Sequence, residues 1–157
     1  MGPRIGSLIG LVFGLLWLGL GVSVLAMPGK LIVAILGIIA FGLIALRVWR
    51  RAPVPGATFN HRIFLIAVGL EFAAFVVAGW AIDRIGLTGY EWPVVGAIVG
   101  LHFISLWMAS QDRRFLWLSG GMTAINLFAM TLAPASATML MVSGFGSAIA
   151  IGLAVLA

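Results

Sequence analysis

Glu71 and His102 are the residues of this chain best placed to do chemistry, because each interrupts a long apolar run. Glu71 stands in the middle of FLIAVGLEFAAFVVAGW (64–80), and His102 in the run that follows Pro93. A carboxylate at bilayer depth is costly and commonly marks a substrate, ion or proton pathway. Imidazole is the side chain whose ordinary titration falls near neutral pH. Together they could take up or pass on a proton, or meet a polar substrate in a cavity. The alternative is structural. Burial favours the neutral form of both groups, and hydroxyl and amide neighbours could satisfy them without any turnover.

Depth along the helices brings further polar groups to this level. At about 1.5 Å rise per residue, Glu71 lies roughly 13 Å inward from Arg62, and His102 roughly 12–16 Å from the Ser110–Arg113 boundary. Thr123 reaches a similar level from Arg114, and Asn126 sits about one turn further on. Ser105 shares the His102 face, while Ser119, Thr123 and Asn126 form one stripe. Glu71, His102, Thr123, Asn126, Ser105 and Ser119 are therefore the expected substrate- or proton-binding set. Ala67, Ala74 and Ala78 share the Glu71 face and would let another helix approach closely.

Other chemistries find little to build on. There is no cysteine, hence no thiolate and no Cys-ligated metal. His61 is expected at a membrane boundary, far from His102, so neither a zinc site nor a bis-histidine haem is expected. Seven methionines are explained by packing. No H-E-x-x-H, G-x-S-x-G or phosphate-binding loop occurs. Ser143-Gly144-Phe145-Gly146-Ser147 reads as small residues at a helix interface, and Asp83, Arg84 and Glu91 as capping groups of a turn. No catalytic residue, cofactor or metal is assigned.

The elements that must position these residues are membrane helices. Of 157 residues, 63% are hydrophobic and only 8% charged. A soluble domain has about a quarter of its residues charged. The expected fold is all-α: a polytopic integral membrane protein, a six-transmembrane-helix bundle with short loops, forming one domain over 1–157. The spans are expected at about 5–27, 31–48, 61–82, 92–110, 115–132 and 137–156, each near the ~20 residues that cross a bilayer. Pro28-Gly29-Lys30 is a tight turn. APVPGATFN (52–60) is a loop ending in Asn60 as N-cap. Pro93 suits a first helical turn, Asp112 a cap, and Ser136 or Thr138 the start of the last helix. Gly10-xxx-Gly14 permits close helix contact.

The net charge of +5 does not indicate nucleic acid, because the basic residues flank the apolar runs. With the N-terminus inside, Arg4, Arg47, Arg50, Arg51, Arg62, Arg113 and Arg114 face the cytoplasm and only Lys30 and Arg84 the other side. This bias predicts both termini cytoplasmic, in a bacterial-type plasma (inner) membrane. Trp80, Tyr90 and Trp92 would form one aromatic belt, and Trp49, Trp107 and Trp117 the other. The expected partner is the lipid bilayer, with basic residues at its headgroups.

Two functions from different classes fit these residues. One is a carrier, or carrier subunit, for a small molecule or ion. The other is an interaction or assembly protein whose Gly-rich first and last helices pack against a membrane protein partner or a second copy (a homo-oligomer). A membrane-embedded enzyme acting on lipid ranks third, since ionisable groups are few.

Overall fold

The computed structural model describes residues 3–50 and 59–157, with side chains from residue 10 onward. The side chain of Arg4, Arg51, and most of the loop expected at 52–60 lie outside the described residues. Within them the chain forms six α-helices: α1 (Pro3–Ser23), α2 (Gly29–Arg50), α3 (His61–Ile85), α4 (Glu91–Ser110), α5 (Arg114–Ala129) and α6 (Ala137–Leu156). Four of these, α2, α3, α4 and α6, are long and apolar enough to cross a membrane.

The helix ends follow local chemistry. The Asn60 side chain accepts hydrogen bonds from the backbone N–H groups of Arg62 and Ile63, and that of Ser136 from Met139. Asp112 Oδ1 accepts from the Arg114 N–H at 3.0 Å and does the capping for α5. Pro93 lies in the first turn of α4. α3 continues to Ile85, past the expected end at 82, because Gly86 is the first residue there able to take φ of 69° and accept the turn that closes it. α5 stops at Ala129, before the expected 132. Thr131 and Leu132 bond three residues back, to Phe128 and Ala129, in a tightened final turn. At 16 residues α5 rises roughly 24 Å, less than the ~30 Å hydrocarbon core.

Close approaches at small residues define the packing. In α1, Gly14 faces Phe41 of α2 and Ile151 of α6, and Gly21 faces Phe145 of α6. A side chain at Gly144 would run into the Gly21 backbone and the Trp17 carbonyl. Gly96 and Gly100 of α4 face Asn126 and Thr123 of α5. Partner numbers rise along one helix as they fall along the other, so these helices are antiparallel. The packing order is α3, α4, α5, α6, α1, α2, with α6 also touching α4 and α2. Ser143, Gly144, Ser147, Ala148 and Ile151 make α6 the buried centre. α3 lies at the edge and packs against α4 alone among the described residues.

That edge helix is held in register at both ends. The Asn60 N–H donates to the Ala109 carbonyl at 2.9 Å, fixing the start of α3 against the end of α4. At the far end, the turn after Gly86 leads directly into α4, and Gly89 accepts a hydrogen bond from the Ala135 N–H at 3.0 Å. Tyr90 adds a hydroxyl bond to the Leu132 carbonyl at 3.2 Å. The α3–α4 and α5–α6 turns thus form one capped end of the bundle.

Candidate functional site

The register of α3 against α4 brings Glu71 and His102 together. From the Asn60–Ala109 contact, Glu71 lies roughly 16 Å along α3 and His102 roughly 10 Å along α4. Side chains on a helix lean toward its N-terminus. On antiparallel helices the two therefore lean toward each other and close that offset. His102 Nδ1 stands 3.4 Å from Glu71 Oε2. This separation is long for a direct hydrogen bond and short enough for strong charge coupling if both groups ionise. The two side chains retain only 10% and 18% of their accessible surface, His102 and Glu71 respectively.

The pair sits in a cleft of about 210 Å³ between α3 and α4, walled by Ala67, Ala74 and Ile98. The alanines supply the space, since neither fills the gap between the helices. Leu70 and Leu101 flank the mouth and are 65% and 54% exposed, so the cleft opens sideways on the outer surface of the bundle. Ser105, half-buried, stands three residues beyond His102 on the same side of α4.

The remaining residues of the expected set lie elsewhere. Asn126 is completely buried between α5 and α6. Its amide nitrogen donates to the Met122 carbonyl at 2.8 Å and to Ser147 Oγ at 3.0 Å. Its carbonyl oxygen accepts from Ser143 Oγ at 2.6 Å. Every strong polar group in this network has a partner, which is the signature of internal cross-linking. Thr123 Oγ1 is buried without a hydrogen-bond partner and faces Gly100. Ser119, also buried, lies on the same stripe of α5.

One α4 helix separates the two groups. At about 100° per residue, Gly96 and Gly100 lie roughly 120–160° around the helix from His102. The expected single cluster at one depth is thus two clusters at two interfaces: Glu71 and His102 at α3–α4, Asn126 with Ser143 and Ser147 at α5–α6. From the sequence, Ser143 and Ser147 read as small residues at a helix interface, within the chain or toward a partner. Their i, i+4 spacing opposite a lone Asn was the available signal.

The outer polar residues act locally. The Glu91 carboxylate accepts the Gly89 N–H through both oxygens at 2.9 Å and closes the α3–α4 turn. The Arg84 guanidinium lies over the Trp80 ring, 5.5 Å from its centroid. At the other end Asp112 holds Arg114 through Nε, at 2.9 and 3.0 Å, and through Nη2. Partial burial pushes the Asp112 carboxyl up, but the Arg114 hydrogen bonds outweigh it and hold the group below the usual carboxylate range.

Among the described residues no three His, Asp or Glu side chains gather where they could hold a metal ion. His61 is exposed at the start of α3, edge-on to Phe59 with ring centroids 5.1 Å apart, and makes no approach to His102. Comparison of the chain with protein-family models, with curated proteins and with solved structures found no match.

Proposed function

We propose that this chain is a small six-span membrane protein that acts as a carrier, or as a subunit of one, for a small molecule or ion, with Glu71 and His102 as its proton- or substrate-responsive pair. The observation that carries the reading is the position of the pair: two ionisable side chains 3.4 Å apart in a cleft that opens sideways between Leu70 and Leu101. In a bilayer that opening faces the acyl chains. A ligand reaching it from the membrane would present a small polar head to Glu71 and His102 and an apolar body to the leucines. The cleft is smaller than the ~300–1,000 Å³ of a drug-sized pocket. It suits a compact head group or a proton better than a large rigid substrate. Ser105 is a neighbouring hydroxyl on the approach. Thr123, Asn126 and Ser119 have no place in the cleft in this reading and serve the bundle interior.

The orientation proposed for the carrier has both termini cytoplasmic. Supporting it, the Asn60–Ala109 contact gathers Arg62, Arg113 and Arg114 at one end of the bundle, while Lys30 and Arg84 belong to the other.

The test is flux through proteoliposomes carrying a pH-sensitive dye, screened against small amines, carboxylates and inorganic ions. Glu71→Gln should abolish any substrate-dependent proton movement while the helical content and detergent stability stay as in the parent. Unchanged proton movement in that variant would end the reading.

The interaction reading is favoured by one observation, the edge position of α3. Leu65, Phe72, Val76, Val77 and Trp80 of α3 are all largely exposed. The glycines of α1 and α6, by contrast, are largely used within the chain. A partner protein or second copy would therefore be sought on α3, beside the Glu71 cleft. Cysteine cross-linking is simple to arrange, as the chain has none of its own. Val76→Cys forming a disulfide-linked dimer in membranes would support this surface.

A further inference from the structure

A second groove, about 620 Å³ in volume, runs between α5 and α6 on a side of the bundle that the Glu71 cleft does not reach. Its walls are nearly all apolar, and its width comes from Gly121, Ala150 and Ala154. A Cβ at Gly121 would meet Ala150 at 3.9 Å, an ordinary van der Waals contact, so the gap between the two helices admits a methyl group there without a clash. The inner end closes where Gly146 packs under Ile125. From Arg114 to Ile125 the groove is eleven residues long, roughly 16 Å. That is about half of the ~30 Å hydrocarbon core, the depth of one leaflet.

The mouth carries the charge. Arg114 lines it, and Asp112 occupies the Nε and Nη2 edge of the guanidinium. Nη1 keeps its donors unengaged among the described residues. Arg113, next along the chain, is exposed. Trp117 lines the groove one turn further in and is 82% exposed, the amphipathic ring expected at headgroup level. Two arginines, one of them paired with Asp112, an interfacial tryptophan and an apolar channel one leaflet deep match one kind of molecule.

We propose that the α5–α6 groove is a binding site for an anionic phospholipid, its acyl chain lying along Gly121 and Ala150 and its phosphate at Arg113 and Arg114. The acyl chain fills space that the small residues leave, and the arginines select the headgroup. Asp112 positions Arg114 by holding one edge of its guanidinium and leaving the other for the phosphate. The site is independent of Glu71 and His102.

The test uses the full-length protein in phosphatidylcholine vesicles doped with brominated phosphatidylglycerol or brominated phosphatidylcholine. Bromine quenches nearby tryptophan, and the Trp117 signal is obtained by subtracting a Trp117→Phe variant. The expected result is half-maximal quenching by the brominated anionic lipid at a mole fraction roughly fivefold or more lower than by the zwitterionic one. Ala150→Phe, which fills the groove and keeps the charges, should abolish that preference. So should Arg113→Gln combined with Arg114→Gln, which leaves the apolar walls intact. Equal quenching by the two lipids in the parent protein would overturn the proposal. A preference that survives Ala150→Phe would also overturn it, because attraction of headgroups to a basic surface needs no groove. A preference that survives loss of both arginines would remove their assigned role and the proposal with it.

Discussion

Gly96 of α4 lies directly against the side-chain amide of Asn126 on α5, turned away from the face on which His102 meets Glu71. Only a residue without a side chain leaves room for that amide. The contact divides the polar interior in two. On one side of α4 Asn126, Ser143 and Ser147 are mutually satisfied and enclosed, with Thr123 Oγ1 buried beside them without a partner. On the other, an ionisable pair stands in a cleft with an open mouth.

The enclosed side should behave as structural glue. Asn126→Ala removes the partner of Ser143 and Ser147, both fully buried. Interhelical hydrogen bonds in membranes average about 0.6 kcal/mol, and unsatisfied buried groups cost more. A loss of about 1–3 kcal/mol is expected, read as a lower unfolding midpoint in a detergent titration. The same substitution should leave the response of Glu71 to pH unchanged.

Steric substitutions should follow the close approaches. Gly144→Val places atoms against the Gly21 backbone and the Trp17 carbonyl, where neither can move aside cheaply. Overpacking of this kind costs about 1–3 kcal/mol. Gly19→Ala, with nothing within 4 Å of the added carbon, should be neutral or slightly stabilising. Thermal unfolding of the two variants side by side checks the α1–α6 crossing.

How much of this was legible in the sequence depends on what each residue does to its neighbours. Asn60 and Ser136 announced helix starts because a side-chain acceptor just ahead of an apolar run has one obvious use. Depth brought Glu71 and His102 near one level on consecutive antiparallel helices joined by a short turn, and the lean of the two side chains toward each other closes the remaining offset. What depth could not give was rotation. α4 is apolar on nearly every side, so periodicity carries no signal for which face meets α3 and which meets α5. The informative residues were Gly96 and Gly100, whose lack of a side chain selects the face that receives Asn126 and Thr123. α5 also ended early because its last residues bond back three positions, a choice made by the turn before Pro134 and not by hydropathy.

The turn before α5 gives a pH-dependent term of known sign. Asp112 is held below its ordinary value of 3.8 by Arg114, so its ionised form favours the folded turn. That contribution is present above pH 3.8 and is lost as the pH falls through the lowered folded value. Asp112→Asn should remove this part of the pH dependence and fray the start of α5. Hydrogen exchange at the amides of residues 114–117, measured above and below pH 3.8, tests both statements.

The central claim is that protons reach the Glu71–His102 pair. The infrared absorption of the Glu71 carboxyl C=O, followed across pH in lipid with Glu71→Gln as the subtraction, addresses it directly. The account predicts a band that responds reversibly to bulk pH and whose midpoint moves when His102 is replaced by Ala. A Glu71 signal that holds one state across the whole accessible range, indifferent to His102, would contradict it.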